Sequence, residues 1–326
     1  MRTLRVDRPH AVALTDAPSP AADPEAGELL VRPRAVGLCG TDLELVDGAV
    51  DPAYVRYPLV LGHEWSGVLA DGTPVVGEGI VPCGRCAACG RGATNLCATY
   101  DEIGFTRPGA AADELLVPAR LVHRLAPGVD LAEAALVEPM AVVLRGLRRA
   151  APEPGLRALV VGDGTIGLLA VHLLRLWSPA EVCLLGRRPE QAGLAAAAGA
   201  DRFTLDPEEA GGGYQLVVEA AGTPEAVGTA LGAAGRGGTV LLLGLAGTGR
   251  TAAFPIDELV NGDLTVRGSF AYTSEVWRET VGLLNAGEVA PGFVITHRFP
   301  LAEAAAALAT LRGGAGPRGK VLLTLP

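Results

Sequence analysis

Four cysteines, Cys83, Cys86, Cys89 and Cys97, fall within fifteen residues, with two, two and seven residues between them. On a loop punctuated by Gly84, Gly90 and Gly92, four thiolates can close a tetrahedral sulfur shell round one zinc ion. A full shell leaves no position for substrate, so such an ion is structural. The competing readings are a disulfide framework and a nucleic-acid-binding zinc finger. Cysteines with two residues between them, in a chain expected to carry no export signal, favour the metal. Cys183 lies in the apolar run Glu181 to Leu185 and reads as an inert buried thiol. Cys39 differs: it stands in Gly37-Leu38-Cys39-Gly40-Thr41-Asp42, a glycine-flanked turn with a hydroxyl and a carboxylate beside it, which suits a metal ligand or a nucleophile. Twenty-four residues on, Gly62-His63-Glu64 adds an imidazole and a second carboxylate after an apolar run. His10, His123, His172 and His297 have no such company and receive no role.

A second kind of chemistry is signalled by Gly162-Asp163-Gly164-Thr165-Ile166-Gly167, which follows an apolar run and opens a helical pattern. Gly162 permits a tight turn, Gly164 lets the backbone approach a pyrophosphate, and Gly167 lets helix pack on strand. The amides of Thr165 and Ile166 at the helix start are donors for the phosphates. The strand expected next ends in Gly186-Arg187-Arg188, without the carboxylate that bonds the ribose hydroxyl of NAD. Two guanidiniums there can pair with a 2′-phosphate, so NADP is expected in preference to NAD.

These residues need two kinds of scaffold. Residues 1 to about 135 show short β-like runs broken by Gly and Pro, at Glu28 to Pro33, Val60 to Gly62, Gly67 to Ala70, Pro74 to Gly77 and Glu114 to Pro118, the spacing of a barrel or sandwich. From about residue 156 strand and helix alternate. Strands are expected at Ala158 to Val161, Glu181 to Leu185, Leu216 to Val218 and Val240 to Leu243, and helices at Thr165 to Trp177, Pro189 to Ala198 and Pro224 to Ala234. That rhythm implies a parallel sheet covered by helices. A helix from Leu301 to Leu311 and a strand from Lys320 to Leu325 close the chain.

With 326 residues and 49% apolar side chains, the chain is long enough for two globular domains. A net charge of −9 and the lack of any basic run exclude nucleic acid as an expected partner. No uncharged stretch approaches the length needed to span a bilayer. The first fifteen residues hold three arginines and only the short apolar run Ala11 to Leu14, so a cytoplasmic protein without a leader is expected.

The stretches Gly37 to Asp42, Gly62 to Glu64, the four-cysteine loop, Leu136-Val137-Glu138-Pro139 and Gly162 to Gly167 resemble, in order and spacing over essentially the whole chain, the zinc-containing medium-chain dehydrogenase/reductase family. Its members include alcohol, sorbitol, threonine and glucose dehydrogenases. A zinc-free quinone or enoyl reductase of that fold would lack Cys39, His63 and the cysteine loop. The resemblance implies an α/β protein in which a GroES-like β-barrel catalytic domain (1-139 and 272-326) is completed by both chain ends round a Rossmann doubly wound parallel-sheet domain (140-271). It implies two zinc ions per chain, the second a catalytic one held by Cys39 and His63. Glu64 matches a carboxylate that binds the metal or sits close to it. Glu138 falls where alcohol dehydrogenases have a cysteine ligand and sorbitol-type members a glutamate. Asp42 would orient His63, and Thr41 would take the substrate proton. The implied reaction is hydride transfer between a secondary alcohol and NADP or NAD, with zinc as Lewis acid.

One position departs from many alcohol dehydrogenases: Glu44 stands where a relay histidine is found. The run Cys39 to Gly48 is closer to glucose dehydrogenases, which also tend to carry an arginine pair, and the stretches His63 to Gly67 and Gly104-Phe105-Thr106 are similar to aminocyclitol dehydrogenases. A polyol, sugar or aminocyclitol is therefore the expected substrate. The alternatives are a simple or threonine-type amino alcohol and a non-catalytic cofactor-binding protein. A homodimer or homotetramer is expected.

Overall fold

The computed structural model describes residues 1–22 and 27–326. Its first 138 residues are built of short strands: β1 (Arg2–Arg8), β2 (Ala11–Asp16), β3 (Glu28–Leu38), β4 (Leu59–Val60), β5 (Glu64–Val68), β6 (Pro74–Gly77), β7 (Leu115–Pro118) and β8 (Val122–Arg124). Helices are few and short here: α1 (Gly40–Asp47), α2 (Ala87–Gly90) and α3 (Leu131–Ala134). Then α4 (Val137–Ala150) leads into alternating strand and helix: β9 (Arg157–Val161), α5 (Thr165–Leu174), β10 (Glu181–Leu185), α6 (Ala192–Ala198), β11 (Arg202–Thr204), α7 (Pro207–Ala210), β12 (Tyr214–Glu219), α8 (Pro224–Ala233), β13 (Ala234–Leu242), α9 (Ile256–Gly262) and β14 (Thr265–Gly268). The chain ends with α10 (Ser274–Asn285), β15 (Ile295–Pro300), α11 (Ala304–Gly313) and β16 (Lys320–Thr324).

Two units result. One comprises Met1–Glu138, Tyr272–Ala315 and Lys320–Pro326; the other comprises Pro139–Ala271 and Gly316–Gly319. In the first, β3 is the organising strand. Its start pairs with β7, and its later part lies antiparallel between β5 and β16, within a sheet of order β15-β16-β3-β5-β6-β8. A smaller sheet, β2-β1-β4, accompanies it. The core includes the fully buried Val36, Leu45, Leu61 and Trp65, together with Leu38. Apolar burial of this kind is worth roughly 25 cal/mol per Å² and holds short strands that have little stability alone.

In the second unit six parallel strands run in the order β11-β10-β9-β12-β13-β14. Numbered from β9, that order is 3-2-1-4-5-6, the doubly wound arrangement, and its reversal between β9 and β12 marks the place where ligands bind. The inner strands β10, β9 and β12 are largely buried on both faces, as in β9, where four of five residues are buried, while the edge strand β14 is exposed.

The structure shifts several expected boundaries. The α-helical part of the segment expected at 165–177 stops at Leu174 and tightens into a 3₁₀ turn before Ser178 in the left-handed region (φ 48°). The segment from Pro189 also begins as a 3₁₀ turn. Glu64 opens β5, three residues before the strand expected at Gly67. Among the described residues no helix is long and apolar enough to cross a membrane.

Candidate metal and dinucleotide sites

Cys39 directly follows β3 and is the N-cap of α1. Asp42 closes the cap by accepting the Cys39 N–H at 2.8 Å, while Cys39 Sγ accepts the Thr41 N–H at 3.3 Å. The same residues that start the helix thus fix the thiol. His63 is delivered by the turn between β4 and β5, where Gly62 adopts φ +102° and a Cβ would lie 2.7 Å from Val36 Cγ1 and 2.8 Å from the Ala111 nitrogen. Only glycine fits there. His63 Nε2 lies 3.4 Å from Cys39 Sγ, and its Nδ1 lies 3.7 Å from Asp42 Oδ1. Glu64 sits opposite Gly37 in the β3–β5 register, and a side chain at Gly37 would collide with its carboxylate.

The ligand atoms of Cys39, His63 and Glu64 all lie within 4.8 Å of one another. Zinc bonds of about 2.3 Å to sulfur and about 2.05 Å to nitrogen, at a tetrahedral angle, place S and N about 3.5 Å apart, so the observed 3.4 Å suits a shared ion. His63 Nδ1, Asp42 Oδ1 and Glu64 Oε2 are buried without a hydrogen-bond partner. Burial opposes the charged imidazolium, yet Cys39, Asp42 and Glu64 together hold the His63 pKa well above its ordinary value. Such a cluster attracts a cation, and the residues present fit zinc.

The structure adds a residue the sequence reading missed. Lys320, the first residue of β16, places Nζ 2.6 Å from Glu64 Oε1, and both side chains are only 2% exposed. Burial lowers the lysine pKa, but Glu64 and Cys39 outweigh it and leave it raised. A lysine heading an otherwise apolar terminal strand was the available signal. Glu64 thus has one oxygen committed to an ammonium and one still unpartnered. Glu138, in the first turn of α4, is not brought into the three-residue cluster. Burial and the charge of Glu64 push its carboxyl up to about 8. Thr41 is half-buried, and Glu44 is exposed one turn further along α1.

The second cluster unites Cys83, Cys86, Cys89 and Cys97, again with sulfurs within 4.8 Å of one another. Backbone amides point at these sulfurs: Cys83 N–H to Cys97 Sγ at 3.3 Å, and Ala98 N–H to Cys86 Sγ at 3.4 Å. The Ala98 and Cys89 amides pull the Cys86 thiol down to about 6, while burial pushes Cys89 up to about 12. All six cysteines are free thiols.

In the second unit, the glycine loop leaves β9 at the reversal point. Gly162 has φ +117°, and a Cβ there would sit 2.7 Å from the Ala221 nitrogen in the loop after β12. Gly164, the N-cap of α5, has no side-chain cap and faces open space, and a side chain at Gly167 would strike the Gly162 carbonyl. Those are the requirements of a pyrophosphate cradle at a helix N-terminus. The fully buried Glu219 at the end of β12, passed over in the sequence, accepts the Ala221 and Gly222 amides at 2.8 and 2.7 Å and braces the neighbouring loop.

Comparison with known proteins agrees with this geometry. Residues 25–127 match the alcohol dehydrogenase GroES-like domain, and residues 165–286 match the zinc-binding dehydrogenase domain. The chain belongs to the zinc-containing medium-chain dehydrogenase/reductase family. It is 33% identical to an L-threonine 3-dehydrogenase of Streptomyces avermitilis, with 95% of each chain covered. It is 30% identical to D-xylulose reductase A of Aspergillus oryzae, over 94% of this chain and 92% of the relative. A zinc-binding dehydrogenase of Sinorhizobium meliloti, solved bound to NADP, superposes with a TM-score of 0.92 at 29% identity, covering 99% and 98% of the two chains. The fold of this dehydrogenase is a GroES-like domain joined to a Rossmann domain. As a member of that family it is an oxidoreductase that interconverts an alcohol and its carbonyl compound with a nicotinamide cofactor.

Proposed function

We propose that this dehydrogenase is zinc-dependent and oxidises the secondary alcohol of a polyol, sugar or aminocyclitol to its ketone, or runs the reverse reduction, with NADP preferred over NAD. The observation that carries the reading is the cluster of Cys39, His63 and Glu64, whose ligand atoms converge while Glu64 Oε2 is buried without a hydrogen-bond partner. Bound zinc supplies Lewis acidity toward the reacting oxygen, and the nicotinamide supplies or takes the hydride.

The chain's own residues do the rest. Cys39 and His63 hold the metal, with Glu64 as a third ligand through the oxygen that Lys320 leaves free. Asp42 fixes the His63 ring from its Nδ1 side. Glu138, with its raised pKa, stands by as a ligand to the metal or its water. Thr41 takes the substrate proton. Glu44, three residues further and so on the same face of α1, passes it to solvent or receives a cationic substrate. Cys83, Cys86, Cys89 and Cys97 hold a second, structural zinc. Gly162, Gly164, Thr165, Ile166 and Gly167 cradle the cofactor pyrophosphate, and Gly186, Arg187 and Arg188 lie at its ribose end. The catalytic part is read as 1-139 and 272-326 and the cofactor part as 140-271, except that Pro139 and the Gly316–Gly319 turn group with the cofactor unit.

The chain is read as cytoplasmic and as a homodimer or homotetramer. An exposed apolar margin supports the assembly: all of β14, the edge strand of the parallel sheet, is exposed, as are Leu245, Ile256, Val260 and Phe270.

The test is a dehydrogenase screen at 340 nm over polyols, sugars, aminocyclitols and L-threonine, with both nicotinamide cofactors, before and after zinc is stripped and restored. Turnover that survives complete metal removal would refute the zinc reading. Activity on L-threonine alone would move the substrate to the amino-alcohol class.

A further inference from the structure

Asp163, the second residue of the glycine loop, sends its carboxylate to the end of the neighbouring strand β10. Its Oδ2 accepts the backbone N–H groups of Arg187 at 2.9 Å and Arg188 at 3.1 Å, and its Oδ1 accepts the Arg188 guanidinium at 3.1 Å. The same guanidinium donates to the Asp163 carbonyl at 3.3 Å. Gly186 makes room for this: a Cβ there would lie 2.8 Å from Asp163 Oδ2 and 2.7 Å from the Phe203 ring. The fully buried Gln191 donates to the Asp163 carbonyl at 2.5 Å and to the Arg318 carbonyl at 2.9 Å, and accepts the Arg318 N–H at 2.8 Å. Loop, strand end and the Gly316–Gly319 turn are therefore one hydrogen-bonded body.

The two arginines are not equivalent in it. Arg188 is paired to a carboxylate that is only 10% exposed, whereas Arg187 is exposed and has no ion-pair partner among the described residues. To meet an incoming phosphate, Arg188 must leave a partly desolvated partner, while Arg187 gives up only rotamer freedom. The carboxylate also adds a negative charge close to where a 2′-phosphate would lie.

We propose that Asp163 sets cofactor specificity by holding Arg188 to the glycine loop, which leaves Arg187 alone to grip the 2′-phosphate of NADP. The proposal deepens the reading that this corner takes NADP and rests on it for the identity of the ligand. Asp163 acts as a positioning residue, and its charge limits the preference that two free arginines would give.

The experiment measures dissociation constants of NADP and NAD by calorimetry for the zinc-loaded protein and for Arg187→Ala, Arg188→Ala and Asp163→Asn, with circular-dichroism melting of each. Arg187→Ala is expected to weaken NADP by roughly tenfold or more, the size of one charge-assisted contact to phosphate, and to leave NAD within about twofold. Arg188→Ala, which bares the Asp163 carboxylate, lowers the affinity ratio of NADP to NAD, but by less than Arg187→Ala does. Asp163→Asn keeps an oxygen for the two amides but frees Arg188, so the affinity ratio of NADP to NAD rises. A ratio unchanged or lowered in Asp163→Asn would overturn the proposal, as would an Arg188→Ala variant whose ratio falls as far as that of Arg187→Ala. Should Asp163→Asn fail to fold, the two arginine variants decide alone. Equal affinity of the unmodified protein for both cofactors would remove the NADP preference but not the role of Asp163, which then stands or falls on whether Asp163→Asn tips the balance toward NADP.

Discussion

Lys320 and Glu64 show what a single buried pair does here. An ammonium and a carboxylate, each 2% exposed and 2.6 Å apart, are tolerable only together. Removing one partner of such a pair costs about 3–5 kcal/mol, because the other charge is left desolvated. Lys320→Met is accordingly expected to lower the urea midpoint strongly, with Lys320→Arg close to the unmodified protein. A Lys320→Met protein as stable as the original would show that the pair carries no such weight. Glu44 poses a different question, since its side chain is exposed. As a proton outlet, its replacement by glutamine lowers kcat on every substrate and shifts the pH profile. As a holder of a cationic substrate, it raises KM for amino-bearing substrates only, the ones that lose a Coulomb attraction. Kinetics on one neutral and one amino-bearing alcohol between about pH 6 and 10 separate these, and unchanged profiles on both would remove Glu44 from the mechanism.

Among the elements, α1 matters most, because its first turn fixes Cys39. Its far end is held by Asp47, whose carboxylate accepts the Arg312 guanidinium of α11 in two bonds, at 2.7 and 2.5 Å. The hydrogen bond from Arg312 holds the Asp47 pKa below the usual carboxylate value. A depressed folded-state pKa means stability that is present above the unfolded value of about 3.9 and lost as pH falls through the lower folded one. The pair is substantially exposed, so the effect is small and weakens with salt. Asp47→Asn should therefore be modestly less stable than the original at pH 7, and urea midpoints measured down to about pH 2.5 should converge. A difference that persists undiminished at the acid end would assign the loss to packing. Legibility varied along the chain in a physical way. Segments such as Glu181 to Leu185 and Pro74 to Gly77 were readable because local composition suffices for short apolar strands. By contrast, α1 went unread as a helix, since its start depends on Cys39 and Asp42 acting as caps, roles hidden behind their promise as chemistry. The short edge strand β14 has no apolar run to announce it; it exists because β13 offers a free edge.

At the scale of the whole molecule, the two metal clusters should be separable. Elemental analysis is expected to find two zinc ions per chain in the unmodified protein and one in either Cys39→Ala or Cys89→Ala. Cys39→Ala should abolish turnover and keep cofactor binding, whereas Cys89→Ala should lose thermal stability first, because a closed sulfur shell contributes folding energy and not chemistry. A single zinc that survives Cys39→Ala and disappears in Cys89→Ala would show the catalytic cluster to be unmetallated. The exposed margin of the parallel sheet gives a further expectation. Val260 is 72% exposed and Val266 44% exposed, and a lysine at each should convert the assembled protein to monomers in light scattering if this face joins two copies. Unchanged mass in the double variant would place the interface elsewhere.

The sequence by itself determined the metal-binding residue types, the cysteine loop, the glycine turn and the change from β-rich to alternating rhythm, because each depends on neighbours within a few residues. The tertiary structure decided which distant groups meet. Lys320 reaches Glu64 across 256 residues because β16 pairs with β3 and β3 with β5, a register invisible in the order of residues. The same holds where two arginines looked alike as neighbours in the chain. Parallel pairing of β9 with β10 brings the Asp163 loop beside them, and the carboxylate takes the Arg188 guanidinium, while Arg187 has no ion-pair partner among the described residues. Charge can be counted from composition, but its pairing depends on distances that only the folded chain sets.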